Sequence, residues 1–235
     1  RSGIWSDTDP ATTPWSNNSH TGAPASTEPG PGDQVFIGDG AANNHNIVVQ
    51  SNGLVTGSVA IAPGSTLDVG TTTGHNFGRL EVVSPSGSGL LRISSATPVA
   101  EFPAGDFGLF IREVAGGTVE YYTTGSQDFA IPASSLTPTN LPLISYRYLL
   151  LTPEAGSTIT MPAQNMTIFA NMTVQGADNT AKVNLNSTGA RTLSVNGNLQ
   201  ISSGNLQFQN DAAQNITVGG NVTVGSGGVC NVATT

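Results

Sequence analysis

Four aspartates stand where acid–base or cation chemistry would need them: Asp7, Asp9, Asp33 and Asp39. Two carboxylates about 5 to 9 Å apart can hydrolyse a glycosidic bond, and carboxylates joined by backbone carbonyls can hold Ca²⁺. Asp33 and Asp39 flank the first strand-like segment and are the candidate metal ligands. Both sit in glycine turns, Pro31-Gly32-Asp33 and Gly38-Asp39-Gly40. There an aspartate ordinarily accepts a local backbone hydrogen bond, so a turn role is expected and no metal. His20, His45 and His75 are 25 and 30 residues apart. That is not ligand spacing, and they are expected to be solvated loop histidines. The seven basic residues, Arg1, Arg79, Arg92, Arg112, Arg147, Lys182 and Arg191, fall in no common column. No carboxylate pair recurs with a basic partner nearby. P-loop, dinucleotide-binding, nucleophile-elbow and CxxC patterns are missing from the sequence. No catalytic residue and no cofactor are therefore expected.

The elements that must position these residues are strands. From Gln164 to Val232 one pattern is written three times. The copies are NMTIFANMTV (Asn165–Val174) with VNLN, TLSVNGNLQI (Thr192–Ile201) with NLQFQN, and NITVGGNVTV (Asn215–Val224) with VCNV. Three apolar columns follow: Met166, Leu193, Ile216; Met172, Leu199, Val222; and Val183, Leu206, Val229. Their entries recur after 27 then 23 residues in the first two columns and after 23 twice in the third. Such a period marks a solenoid. Strict apolar–polar alternation marks strands with one dry face. Three strands per copy, separated by short turns, predict coils that stack about 4.8 Å apart. One coil cannot bury its own apolar face, and stacking supplies the core. The fold expected is all-β, a right-handed parallel β-helix with three strands per coil.

Asn171, Asn198 and Asn221 precede the second strand of each copy, two of them after Gly197 and Gly220. Side-chain amides in such a column can bond from coil to coil, so these three asparagines are read as a structural ladder. The N-x-T sequences at Asn165, Asn171, Asn215 and Asn221 have a simpler origin than glycosylation. The Thr is the outward residue of an alternating strand and the Asn a turn residue.

Composition agrees with a solvated β surface. Charged residues make up 9% of the 235, aromatics 6%, with 29 Gly and 14 Pro. Ser, Thr and Asn replace charge on the wet face. The formal net charge of −8 disfavours nucleic acid and anionic membrane as partners. The single cysteine, Cys230, excludes an internal disulfide. It adjoins the third column and is expected to be packed. No stretch is long and apolar enough for a membrane span, and no leader is visible before Arg1. The repeat stops at Thr235 in mid-pattern, so the chain is expected to be a processed piece of a longer protein.

Residues 1–32 are irregular and are expected to form an N-terminal cap over the first coil, with Ile4, Trp5 and Trp15 across the end. The other reading of the two tryptophans is an exposed platform for a sugar. Residues 33–235 are expected to be the β-helix, continuing past the chain. Strand rhythm appears at Val35–Ile37, Ile47–Val49, Val59–Ile61, Leu67–Val69, Leu80–Val82 and Leu90–Ile93. Asn52-Gly53, Pro63-Gly64 and Ser86-Gly87 supply turns. Loops interrupt it near 98–117, where Phe102, Phe107, Phe110 and Ile111 fold back, and near 133–145.

Taken in this order, several segments resemble a known group. They are Trp5 and Trp15 before PGPGDQVFI, then NGLVTGSVAIAPGSTLDV, GSGLLRIS, FPAGDF, GGTVEYYTTG and the NGNLQI-type coils. Together they are similar to the β-helical regions of very large cell-surface proteins of Bacteroidota exported by type IX secretion, the gliding-motility adhesins among them. The resemblance implies display on the outer surface and a non-enzymatic structural or adhesive role. It also implies passage through the secretion and outer-membrane machinery, and contact with surface glycans or other surface proteins. The family's export signal would lie beyond this chain. The alternative is a carbohydrate-active β-helix, either a polysaccharide lyase or glycosidase or a glycan-binding module.

Overall fold

A strand with one apolar face must have that face covered, and here parallel stacking covers it. The computed structural model describes residues 2–16, 22–39, 43–82, 88–185, 190–208 and 214–232. Its strands pair in parallel and form a β-solenoid of about eight turns with almost no helix. The chain divides into two compact units. One holds residues 1–92, 103–118 and 136–141, the other 93–102, 119–135 and 142–235.

The first unit contains β1 (Gly3–Ile4), β2 (Gln34–Ile37), β3 (Asn46–Val48), β4 (Ser58–Ile61), β5 (Thr66–Gly70), β6 (Asn76–Val82), β7 (Leu90–Ile93, as far as Arg92), β8 (Ala104–Asp106) and the single-turn helix α1 (Gly108–Ile111). Two ladders result, β1-β3-β5-β7 and β2-β4-β6-β8. Val35 lies over Val59 and Val59 over Leu80, while Ile47 lies over Leu67. All five are buried, which is the dry column that the alternation requires. The third side of these coils is short and runs through the first residues of β6 and β8. There Asn76 lies between Val55 and Ala104 in parallel pairing, and the turn before it is held by Gly53 N–H donating to the Thr73 carbonyl at 2.8 Å. The coils of this unit are thus three-sided as expected, with two long sides and one short one. Segments rich in Gly and Thr, 51–57 and 70–75, favour turns over extended runs. In α1, Phe110 and Ile111 fold inward with Phe107 just before it, as the sequence suggested.

The second unit contains β9 (Thr118–Tyr122, from Val119), β10 (Phe129–Ala130), β11 (Ser145–Tyr146), β12 (Tyr148–Thr152), β13 (Thr158–Thr160), β14 (Met166–Ile168), β15 (Met172–Gln175), β16 (Lys182–Asn184), β17 (Arg191–Val195), β18 (Leu199–Phe208), β19 (Gln214–Val218) and β20 (Val222–Val232). Three sides are built: β9-β12-β15-β18-β20, β10-β13-β16-β18-β20 and β11-β14-β17-β19. Met166 pairs with Leu193 and Leu193 with Ile216; Met172 pairs with Leu199 and Leu199 with Val222. These are the first two sequence columns, residue for residue. The third column begins as expected, Val183 over Leu206, but Leu206 then pairs with Cys230 and Asn205 with Val229. The register slips between Ile201 and Ser203, and this corner of β20 carries one residue more than that of β18.

The second and third strands of the later copies are also fused, since β18 and β20 each run through the corner. Gly204 makes the bend with φ +82°, and a Cβ there would stand 2.9 Å from the Gly176 backbone. That combination restricts the position to glycine. Inside, the Tyr121 and Tyr146 hydroxyls meet at 3.0 Å, with their rings edge to face. Burial holds both phenols above their usual ionisation range. Cys230 is exposed, correcting the expectation of a packed thiol. Val222 and Val224 are likewise 56% and 46% exposed although their partners Leu199 and Ile201 are buried, because no described strand lies over β20 on its far side.

Candidate functional site

The acidic candidates serve turns. The Asp33 Oδ2 accepts the Gly30 N–H at 2.8 Å, and the Asp33 carbonyl accepts the Gly57 and Ser58 N–H groups of the next coil. Asp39 takes the Asn43 side-chain amide on Oδ2 at 2.6 Å and the Asn43 N–H on Oδ1 at 3.3 Å. Asp7 and Asp9 accept the N–H groups two residues on, from Asp9 and Ala11. Among the described residues no three His, Cys, Asp or Glu side chains converge as a metal site would require.

The histidines part company. His20 lies outside the described residues. His45 is half-buried and its N–H donates to Ser65 Oγ at 3.0 Å. His75 is fully buried, which corrects the expectation of a solvated loop residue. Its Nδ1 accepts the Leu54 N–H at 3.3 Å. Thr72 Oγ1 donates its proton to the Val69 carbonyl and so accepts from His75 Nε2 at 2.9 Å. Both ring nitrogens are thereby matched to the neutral imidazole. Burial depresses its pKa to about 4. The missed signal was period two: His75 and Phe77 are alternate residues and both point inward, with rings stacked at 5.5 Å.

The Phe77 ring stacks in turn on Trp5 at 6.2 Å, and Trp5 meets Trp15 edge to face at 4.9 Å. Trp15 Nε1 donates to the Trp5 carbonyl at 2.6 Å. Both tryptophans are buried, so neither offers a ring face to a sugar. Ile4 belongs to β1 over Val48 and is exposed, not folded across the end.

The asparagine column forms as a chain of bonds. The Asn198 N–H donates to Asn171 Oδ1 at 2.9 Å, and the Asn221 N–H to Asn198 Oδ1 at 2.9 Å. Sequence reasoning missed a similar link, from Thr192 N–H to Asn165 Oδ1 at 2.8 Å. The glycines before Asn198 and Asn221 are required by the close approach. A Cβ on Gly197 would lie 2.5 Å from Asn171 Oδ1 and from the Ala170 carbonyl, and one on Gly220 2.5 Å from Asn198 Oδ1. Asn198→Ala is expected to lower stability by about 1 kcal/mol, read as a shift of about 2–4 °C in thermal melting. Gly197→Ala should cost more, because two coils must part.

On two sides of the second unit, β14-β17-β19 and β15-β18-β20, the outward columns are neutral hydrogen-bonding groups, whereas β16 presents Lys182. Thr167, Ser194 and Thr217 form one outward column, and Thr173, Gln200 and Thr223 another. Along β14, β15 and β17–β20 the sole charged side chain among the described residues is Arg191. Such a surface can donate to and accept from a neutral polymer. The described ion pairs stand elsewhere, Arg92 with Asp68 and Arg79 with Glu81, both at 2.9 Å and both at least partly in water. Glu120 accepts the Thr152 hydroxyl at 2.6 Å as a neighbour-to-neighbour link.

The fold and these contacts define the class of protein: a β-solenoid whose polar residues hold turns and coils together. In comparison with known proteins, no family model matches the chain, and no curated protein or solved structure does either.

Proposed function

We propose that this chain is a non-enzymatic structural and adhesive module of a secreted bacterial cell-surface protein. One observation carries the reading. On two sides of the later coils Met166, Leu193 and Ile216 and then Met172, Leu199 and Val222 stack in register, and the outward columns beside them, Thr167-Ser194-Thr217 and Thr173-Gln200-Thr223, are neutral hydroxyls and amides. Stacked repeats spread a binding surface over many weak, equivalent contacts, which suits attachment and spacing. The aspartates that might have done chemistry are used as turn acceptors. Export by the type IX route and membership of the gliding adhesins rest on the resemblance of segments such as PGPGDQVFI and GGTVEYYTTG. The outer-membrane surface is the location this reading assigns, with the export machinery and surface glycans or proteins as partners.

The neutral columns also favour one arm of the alternative, glycan binding without cleavage. The test is a panel of neutral and acidic polysaccharides, assayed by affinity electrophoresis and by release of reducing or unsaturated ends. Retardation by neutral polymers with no new ends is the expected result. New ends from any polymer would replace this proposal with a hydrolase or lyase.

A further inference from the structure

β19 and β20 end the ladders of the second unit, and among the described residues no strand lies beyond either. An open strand edge is a template for pairing, and proteins ordinarily blunt it with charge, with proline or with an inward-pointing charged side chain. Neither β19 nor β20 carries a charged residue or a proline. Their apolar column also lies open. Val222 stands over Leu199, Val224 over Ile201 and Cys230 over Leu206; the lower three are buried and the upper three exposed.

The residues of this last coil say what fits it. Counted outward from Gly227, Val224 and Cys230 are equally distant, and both belong to the apolar column. Thr223 and Asn231, one step further out, both lie in the outward rows, over Gln200 and Gln207. β19 has the same property about Ile216, with the exposed Asn215 and Thr217 on either side. Ile216 and Gly227 are 11 positions apart, close to half of the 23 that separate Leu199 from Val222 one coil later. They therefore mark opposite points of one coil, where a two-fold axis lying across the coil must enter and leave. A two-fold contact needs a surface that matches itself across such an axis.

We propose that the end of the second unit formed by β19 and β20 pairs with the same end of a second molecule of this chain, β20 antiparallel to β20 about Gly227 and β19 to β19 about Ile216. Val224 then lies opposite Cys230 of the second molecule, and Thr223 opposite Asn231, so that apolar meets apolar inside and polar meets polar outside. Each chain has a formal net charge of −8, but none of it stands on these strands, so the two ends meet without like charges opposed. A head-to-tail contact has no equivalent edge to use at β3, which β1 already covers.

Sedimentation equilibrium of the whole chain should give twice 23.9 kDa at micromolar concentration and the single mass on dilution. Val224→Lys buries an unpaired cation in the contact and should hold the chain at its single mass. Its circular dichroism should be unchanged, because Val224 is exposed in the single chain. Val224→Cys tests the register. Opposed residues of an antiparallel pair lie within disulfide reach, so mild oxidation should give a covalent dimer linked from position 224 of each molecule to Cys230 of the other. Within one molecule these positions are six residues apart along a strand, beyond that reach. Adding Cys230→Ser should abolish the link. A single mass at every concentration overturns the proposal. So does a mass that keeps growing with concentration, which means head-to-tail stacking. A dimer whose Val224→Cys form does not link to Cys230 overturns it as well, because the contact then uses another surface or register.

Discussion

Val195→Asp is expected to abolish cooperative folding of the C-terminal coils. Val195 is buried between Ile168 on one coil and Val218 on the next. A carboxylate there would face an apolar column with no cation paired to it. The penalty for burying such a group is several kcal/mol even after it takes up a proton. That compares with a whole-domain stability of about 5–15 kcal/mol. Far-UV circular dichroism should show a melting temperature lowered by about 10 °C or more, or no transition at all. Ser194→Asp is the matched control, one residue earlier on the outward face, and should change stability by less than about 1 kcal/mol. A lower melting temperature for Ser194→Asp than for Val195→Asp would mean that the inward and outward faces of β17 are assigned the wrong way round, and equal melting that β17 has no dry face.

Acid should loosen the N-terminal coils through His75. The imidazole is held near pKa 4 by burial, against 6.5 for the ordinary side chain. The unfolded chain therefore takes up a proton first as pH falls. Stability from the neutral ring is complete above about pH 6.5, declines between about 6.5 and 4, and is gone below that. The ring nitrogens explain the direction: a proton on Nδ1 would confront the Leu54 N–H. Between pH 7.5 and 4.5 this group alone should remove about 2.5 kcal/mol. The readout is built in, because the chain's two tryptophans lie in the same aromatic stack. Urea titrations followed by tryptophan emission should give a falling midpoint as pH drops. In His75→Gln the part of that fall due to this ring should vanish, leaving the carboxylate contribution. An unchanged pH slope in His75→Gln would refute the assignment.

These two residues also mark what could and could not be read from the chain. Val195 was legible because alternation states which side of a strand is dry, and a recurring period states which coil lies beneath. The same logic placed Met166 under Leu193 and Met172 under Leu199. It failed at Val229 for a physical reason. Likeness of side chains suggests a match, but backbone bonds decide it, and the glycines of 225–228 accommodate an extra residue that carries Cys230 into the column. The first unit was harder still. Its third side is held by a bridge and by single turn bonds such as Gly53 to Thr73, which leave no periodic trace in residue type. His75 was misjudged because a polar residue beside a glycine resembles a turn, whereas its pairing with Phe77 across one residue is the signature of the interior. The aspartates at 33 and 39 were legible as turn acceptors because their glycine neighbours announce the bend.

The corner between β15 and β16 has a practical consequence. Nine residue steps separate Val174 from Val183, yet five separate their partners Ile201 and Leu206. Both spans leave the same apolar partners facing one another. The scaffold thus treats this bend as a hem that can be let out: an epitope, a protease site or a fluorophore-bearing peptide spliced between Ala177 and Thr180 would hang outside while the lattice of coils beneath it kept its spacing.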